Sequence, residues 1–164
     1  MVRWRKYPQS LPGLRERFRS ETACYRFLIK LRWPNGFTCP RCGKRHERRR
    51  PWFSARLLLI CRNTECGYQV SPLAGTALAR TRLEMRSWFD AIWWMLAEKQ
   101  PGTVRGLQSF LGLRNYKTAW RMHHLICTHL CMRRSVGEYS WAGYPESIWS
   151  AFCNTLRKLL ASIA

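Results

Sequence analysis

Cys39, Cys42, Cys61 and Cys66 are the residues whose type and spacing carry chemistry. The first pair stands in Cys39-Pro40-Arg41-Cys42-Gly43, and 18 residues separate it from Cys61-Arg62-Asn63-Thr64-Glu65-Cys66-Gly67. Two short turns that each offer a thiolate pair can converge on one tetrahedral ion, and the gap between them accommodates a hairpin. The spacing predicts one structural Zn2+ held by four thiolates. Gly43 and Gly67 directly follow the pairs, where freedom to adopt positive φ lets each turn curl its amides toward the sulfurs. Disulfides or buried free thiols are the competing reading. Met1 to Phe18 contains no apolar run of the kind a signal peptide needs. Leu57 to Ile60 is too short to span a bilayer. Both point to a reducing cytosol, where paired cysteines hold metal more often than each other.

The elements that must position these thiols follow from the flanking pattern. Cys24, Phe27, Leu28 and Leu31 recur at helical spacing behind Ser20, a candidate cap, so a short amphipathic helix is expected, with Cys24 in its core face. It should end by Arg32, because Trp33 precedes Pro34 and the residue before proline is pushed out of the helical region. Between the cysteine pairs, His46 to Arg50 reads as a charged hairpin tip. Arg56 to Ile60 reads as a short strand into Cys61, with Tyr68 to Val70 as its return. His46 is not needed as a ligand, since four thiolates already close a structural site. Residues 1–19 are basic and interrupted by Pro8, Pro12 and Gly13, which predicts an irregular arm.

The charge balance narrows the partner. Twenty-nine Lys and Arg stand against 9 acidic residues among 164, a net charge of +20. Fifteen of the basic residues fall in residues 1–50, around the first cysteine turn, with only Glu16, Glu21 and Glu47 to offset them. Such an imbalance favours a polyanion.

Downstream, Thr81 and Glu84 form a Thr-x-x-Glu capping box. Met85, Trp88, Phe89, Ile92 and Leu96 then mark one face of a helix ending near Lys99. Thr103 caps a short helix carrying Val104, Leu107, Phe110 and Leu111, and Gly112 supplies a turn. A third helix starts near Asn115. Its Tyr116, Ala119, His123, Ile126, Cys127 and Leu130 are expected inward. Short helix, glycine turn, longer helix is the helix-turn-helix arrangement, against the alternative of a plain helical hairpin with a solvated polar face. His123, Cys127 and Cys131 on one stripe read as packing, because three ligands on one helix cannot surround a tetrahedral ion without a partner from elsewhere.

Trp33-Pro34-Asn35-Gly36-Phe37-Thr38-Cys39-Pro40-Arg41-Cys42-Gly43, with Cys66 to Thr76, resembles the zinc ribbon that opens a group of bacterial insertion-sequence transposases. Lys117-Thr118-Ala119-Trp120 after Leu111-Gly112 is similar to the helix that follows the ribbon in that group. The likeness covers about residues 18–131. It implies a DNA-binding front end, a ribbon plus a helix-turn-helix, that recognises transposon ends. On that assignment the start of the third helix enters the major groove, and the candidate DNA contacts are Arg114, Asn115, Lys117, Thr118, Arg121 and His124, together with Arg48, Arg49 and Arg50 of the hairpin tip. In the family a two-metal nuclease domain follows. Here Asp90 is the one aspartate, and Glu138 and Glu146 in the tail cannot build a two-metal site alone. No catalytic residue is therefore expected.

Gly137 to Tyr144 reads as a loop, and Pro145 to Ile163 as an amphipathic helix that docks back or pairs with a second copy rather than lying on a membrane. The expected fold is a small α+β chain: a basic arm over residues 1–19, a short helix and zinc ribbon over 20–76, a helix-turn-helix over 77–133, and a loop and amphipathic helix over 134–164. The expected function is that of a truncated transposase-like protein, cytoplasmic and nucleoid-associated in a bacterium. It would bind double-stranded DNA at transposon ends without cleaving it, alone, as a homodimer or with a full-length transposase. The alternatives are an interaction subunit that recruits a separate nuclease, and a non-specific single-strand binder.

Overall fold

Ser10 accepts a hydrogen bond from the Gly13 amide and opens a first helix, α1 (Leu11–Arg17). The computed structural model in which this is seen describes Pro8 and residues 10–46, 57–97, 102–129, 133–135, 138–140 and 148–160. The irregular arm expected over residues 1–19 is corrected at 11–17. Pro12 falls in the first turn of α1, where a missing N–H breaks no helical bond, and Leu14 and Phe18 are buried. Ser20 caps α2 (Glu21–Arg32) by accepting from the Ala23 amide at 3.2 Å. Cys24, Phe27 and Leu28 of α2 turn into the main helical core, as expected, while Ile29 belongs to a second core under the ribbon.

The ribbon is two antiparallel two-stranded sheets. β1 (Phe37–Thr38) pairs with β2 (Arg45–His46), and β3 (Leu59–Ile60) with β4 (Gln69–Val70). His46 therefore sits in a strand opposite Phe37 rather than at a hairpin tip. Arg48, Arg49 and Arg50 lie outside the described residues.

The helical part comprises α3 (Met85–Ala97), α4 (Val104–Leu111), α5 (Tyr116–His129) and α6 (Ile148–Leu160), with a third hairpin of β5 (Arg133–Ser135) and β6 (Glu138–Ser140). That hairpin corrects the loop expected over 137–144 at residues 138–140. At the centre of the helical core the rings of three helices and of Phe18, just past α1, meet: Phe89 of α3 lies 4.8 Å from Phe18, 6.0 Å from Phe27 of α2 and 5.3 Å from Phe152 of α6. Edge-to-face pairs at these separations add to the burial of the rings. The amphipathic tail helix thus docks on its own chain, with Phe152, Leu156 and Leu159 fully buried.

Two expectations at helix starts change. Thr81 does not form a capping box with Glu84. Its Oγ1 accepts from the Leu83 amide and from the indole Nε1 of Trp88, and the first amides of α3, Met85 and Arg86, are taken by the carboxylate of Glu21 at 2.9 and 3.0 Å. In α5 the buried residues are Ala119, Met122 and Ile126, while Tyr116 is 48% exposed. The inward stripe is centred on Met122, not on Tyr116.

Candidate metal centre

Each thiol pair is presented by a turn that the local sequence dictates. The Cys39 amide bonds to the Lys44 carbonyl, and the Gly43 amide returns to the Cys39 carbonyl at 2.9 Å, which needs the φ of 68° that Gly43 adopts. The second turn repeats this: the Cys61 amide bonds to the Tyr68 carbonyl, the Gly67 amide to the Asn63 carbonyl, and Gly67 has φ 54°. A side chain at either glycine would be strained in this left-handed conformation.

The two turns face each other. Cys39 Sγ lies 3.8 Å from Cys66 Sγ and Cys42 Sγ lies 3.6 Å from Cys61 Sγ, and all four sulfurs fall within 4.8 Å of one another. Four thiolates at ~2.3 Å from a tetrahedral zinc stand about 3.8 Å apart, so the sulfurs occupy the corners that the ion requires. They hold one structural Zn2+. Among the described residues this is the one group of three or more His, Cys, Asp and Glu side chains gathered for a metal.

The surroundings treat the sulfurs unequally. A backbone hydrogen bond at Lys44 lowers Cys42 to about 7, while desolvation pushes Cys61 up to about 12 and its hydrogen bond at Asn63 pulls the other way. Zinc would supply the charge that keeps the buried sulfurs deprotonated. His46 is the residue that ligand counting passed over. Its Nε2 lies 3.2 Å from Cys61 Sγ, its ring stacks on Phe37 at 6.1 Å, and burial followed by the charges of Lys44 and Arg62 lowers its pKa. A neutral imidazole there can donate its N–H to the coordinating sulfur and orient it. The signal was the strand pairing of His46 with Phe37, which spacing between cysteines does not reveal.

Among the described residues the other thiols, Cys24, Cys127 and Cys153, lie outside this cluster, and Cys131 is outside the described residues. Burial raises Cys24 to about 12 and Cys127 and Cys153 to about 11. His123 Nε2 meets the Gly102 carbonyl and its Nδ1 lies 3.7 Å from Cys127 Sγ, so this stripe ties α5 to the start of α4.

The ribbon is fixed to the helices by Arg32. Its guanidinium donates to the carbonyls of Pro72 and Ala74 at 2.6 and 2.8 Å and lies 4.6 Å from the centre of the Trp33 ring.

Of the side chains expected to face DNA, Arg114, Lys117, Arg121 and His124 are exposed on or just before α5, and Thr118 is half-buried. Asn115 is exposed, and its Oδ1 accepts from the Lys117 amide at 2.8 Å, so it also caps the helix. Tyr116 and Trp120, each 48% exposed, share this part of the helix, and Trp120 lies flat on His124 with ring centres 5.1 Å apart. They are the exposed large hydrophobics among the described residues. Among the described residues no helix is long and apolar enough to cross a membrane.

No curated protein and no solved structure matches the chain. Residues 19–69, about a third of the length, match the family model described as the transposase zinc-ribbon domain. The match spans all four cysteines, and with the sulfur geometry it supports a zinc-binding ribbon similar to that of transposases over this stretch.

Proposed function

We propose that the protein binds the duplex DNA of transposon ends through a helix-turn-helix made by α4, the Gly112 turn and α5, with the zinc ribbon as a second basic module. The observation that carries this reading is the charge on the α4–α5 unit. Residues 102–129 contain no Asp or Glu, and Arg105, Arg114, Lys117 and Arg121 are all exposed. Phosphates attract such a surface without sequence preference, and Arg, Asn and aromatic side chains near the start of α5 can add contacts to base edges. The turn supports the same reading. Gly112 caps α4 in the left-handed conformation, φ 63°, and Gln108 holds the Leu113 carbonyl with its side-chain amide at 3.1 Å. Leu107 of α4 and Ala119, Met122 and Ile126 of α5 are buried, which leaves the basic face of α5 outward.

Binding without cleavage by this chain is part of the proposal. Asp90 accepts from Arg15 Nε at 2.8 Å and so ties α3 to α1. A carboxylate held this way is poorly placed to join a two-metal site.

The test is titration of zinc-loaded protein against fluorescent duplex and single-stranded oligonucleotides. Tighter binding to duplex, weakened about tenfold or more by Lys117→Ala and Trp120→Ala together, supports the reading. Equal binding to both forms would assign the basic surface to single strands instead.

A further inference from the structure

The segment between the ribbon and α3, in which Thr81 departs from its expected capping box, forms one wall of a cleft of about 620 Å³ against α5. We infer that this cleft seats a phosphate of the DNA backbone, held between Arg80 and Arg82 on one side and Arg121 and Thr118 on the other. The inference rests on the DNA-binding reading and adds a contact outside the helix-turn-helix.

Three observations converge. First, the described residues lining the cleft include three guanidinium groups and no acidic side chain. Among the described residues none of the three arginines has an ion-pair partner. Like charges gathered in a concave site repel one another unless an anion occupies it. Second, Thr81 is poised as a donor. Its Oγ1 already accepts from the Leu83 amide and the Trp88 indole, both at about 3 Å, so its O–H proton remains to be given to an oxygen in the cleft.

Third, the wall is held rigidly in a conformation an arginine does not prefer. Arg80 has φ 61°, in the left-handed region. The turns that lead into it are anchored. The Thr76 hydroxyl donates to the Leu73 carbonyl, the Ala77 amide donates to the Leu159 carbonyl of α6, and Leu78 is buried. With Leu78 turned inward, Arg80 and Arg82 face the cleft. Strain kept in place by its surroundings recurs at binding sites. Because Thr118 and Arg121 belong to α5, a phosphate here would lie beside the groove that this helix enters.

The experiment compares the wild type with Arg80→Gly, Arg82→Gln and the double variant, each zinc-loaded. Affinity for a fluorescent duplex is measured across a salt series beside thermal unfolding. Arg80→Gly removes the guanidinium while giving the backbone a residue suited to positive φ, so its melting temperature should hold or rise. Because both arginines hold the same phosphate, the double variant should flatten the plot of log K against log[salt] by about one, and each single variant by a smaller step in the same direction. Wild-type slopes in all three variants, with duplex binding intact, would overturn the phosphate seat alone. A wild type that binds no duplex would overturn the DNA-binding reading and the seat together.

Discussion

At the scale of single residues, the four sulfurs act as a set. Replacing Cys39 or Cys61 with Ser should reduce bound zinc from one ion per chain to none and unfold the ribbon, because the small core of Ile29, Phe37 and Leu59 is closed by two of the ligands themselves. Metal analysis with thermal unfolding checks this, and a full zinc complement in either variant would contradict the assignment. His46→Ala should keep one zinc per chain yet weaken its retention about tenfold or more in competition with a chelator, since His46 orients Cys61 without binding the metal. Gly102 offers a different kind of test. A Cβ there would fall 2.2 Å from the Trp94 ring, which is itself stacked on Phe110 at 5.4 Å. Gly102→Ala should cost about 1–3 kcal/mol of stability in denaturant unfolding. The ligands were legible because cysteine spacing is a local signal. His46 and Gly102 were not, because their partners are set by strand pairing and helix packing.

At the scale of elements, helix starts show where sequence reading stops. Ser20, Thr103 and Gly112 cap their helices as the sequence indicates, since each acts within a few residues of itself. The cap of α3 comes from Glu21, which is 64 residues away from Met85. Glu21→Ala should therefore destabilise the protein by about 1–2 kcal/mol, since it strands two amides. Glu21→Gln should recover part of that loss, since one oxygen remains to accept.

The Arg15–Asp90 pair joins α1 to α3 and has a pH signature. Burial raises the Asp90 pKa and outweighs the lowering by Arg15. A folded pKa above the unfolded value means that the native state holds the proton longer. The Asp90 contribution is thus present at acid pH and is lost as pH rises through the folded value. Asp90→Asn should remove that decline and so hold or raise stability at neutral pH relative to the wild type, as read from melting temperature against pH. A steep loss at neutral pH would show instead that the ion pair is a net stabiliser. The same interaction explains why α1 was misread: proline and basic residues suggest an arm until Leu14, Phe18 and Arg15 find partners on other helices.

At the scale of the whole molecule, the helices share one core, and α6 completes it. Phe152→Ala should cost about 3–5 kcal/mol, because the ring is wholly buried against Phe27, Phe89 and Trp93. Among the described residues of α6, Phe152, Leu156, Leu159 and Leu160 are spent inside the chain, so an interaction-subunit role would need a surface other than theirs. Its amphipathic pattern was plain in the sequence, whereas its docking site is assembled from α2 and α3 and could not be read from α6 alone. The outward basic face of α5 was legible in part. Lys117, Arg121 and His124 followed from helical period, while the exposure of Tyr116 and Trp120 depended on which stripe won the core.

The central claim is that the net charge of +20 is organised into a specific duplex-binding surface rather than spread as a general attraction. The most direct measurement is binding of the zinc-loaded protein to duplex DNA from the ends of an insertion sequence whose transposase carries this ribbon, against scrambled duplex of equal length, over a salt series. The account predicts that the two affinities separate as salt approaches physiological strength, with end DNA retained while scrambled DNA is released. Equal affinities that fall together at every salt concentration would contradict it.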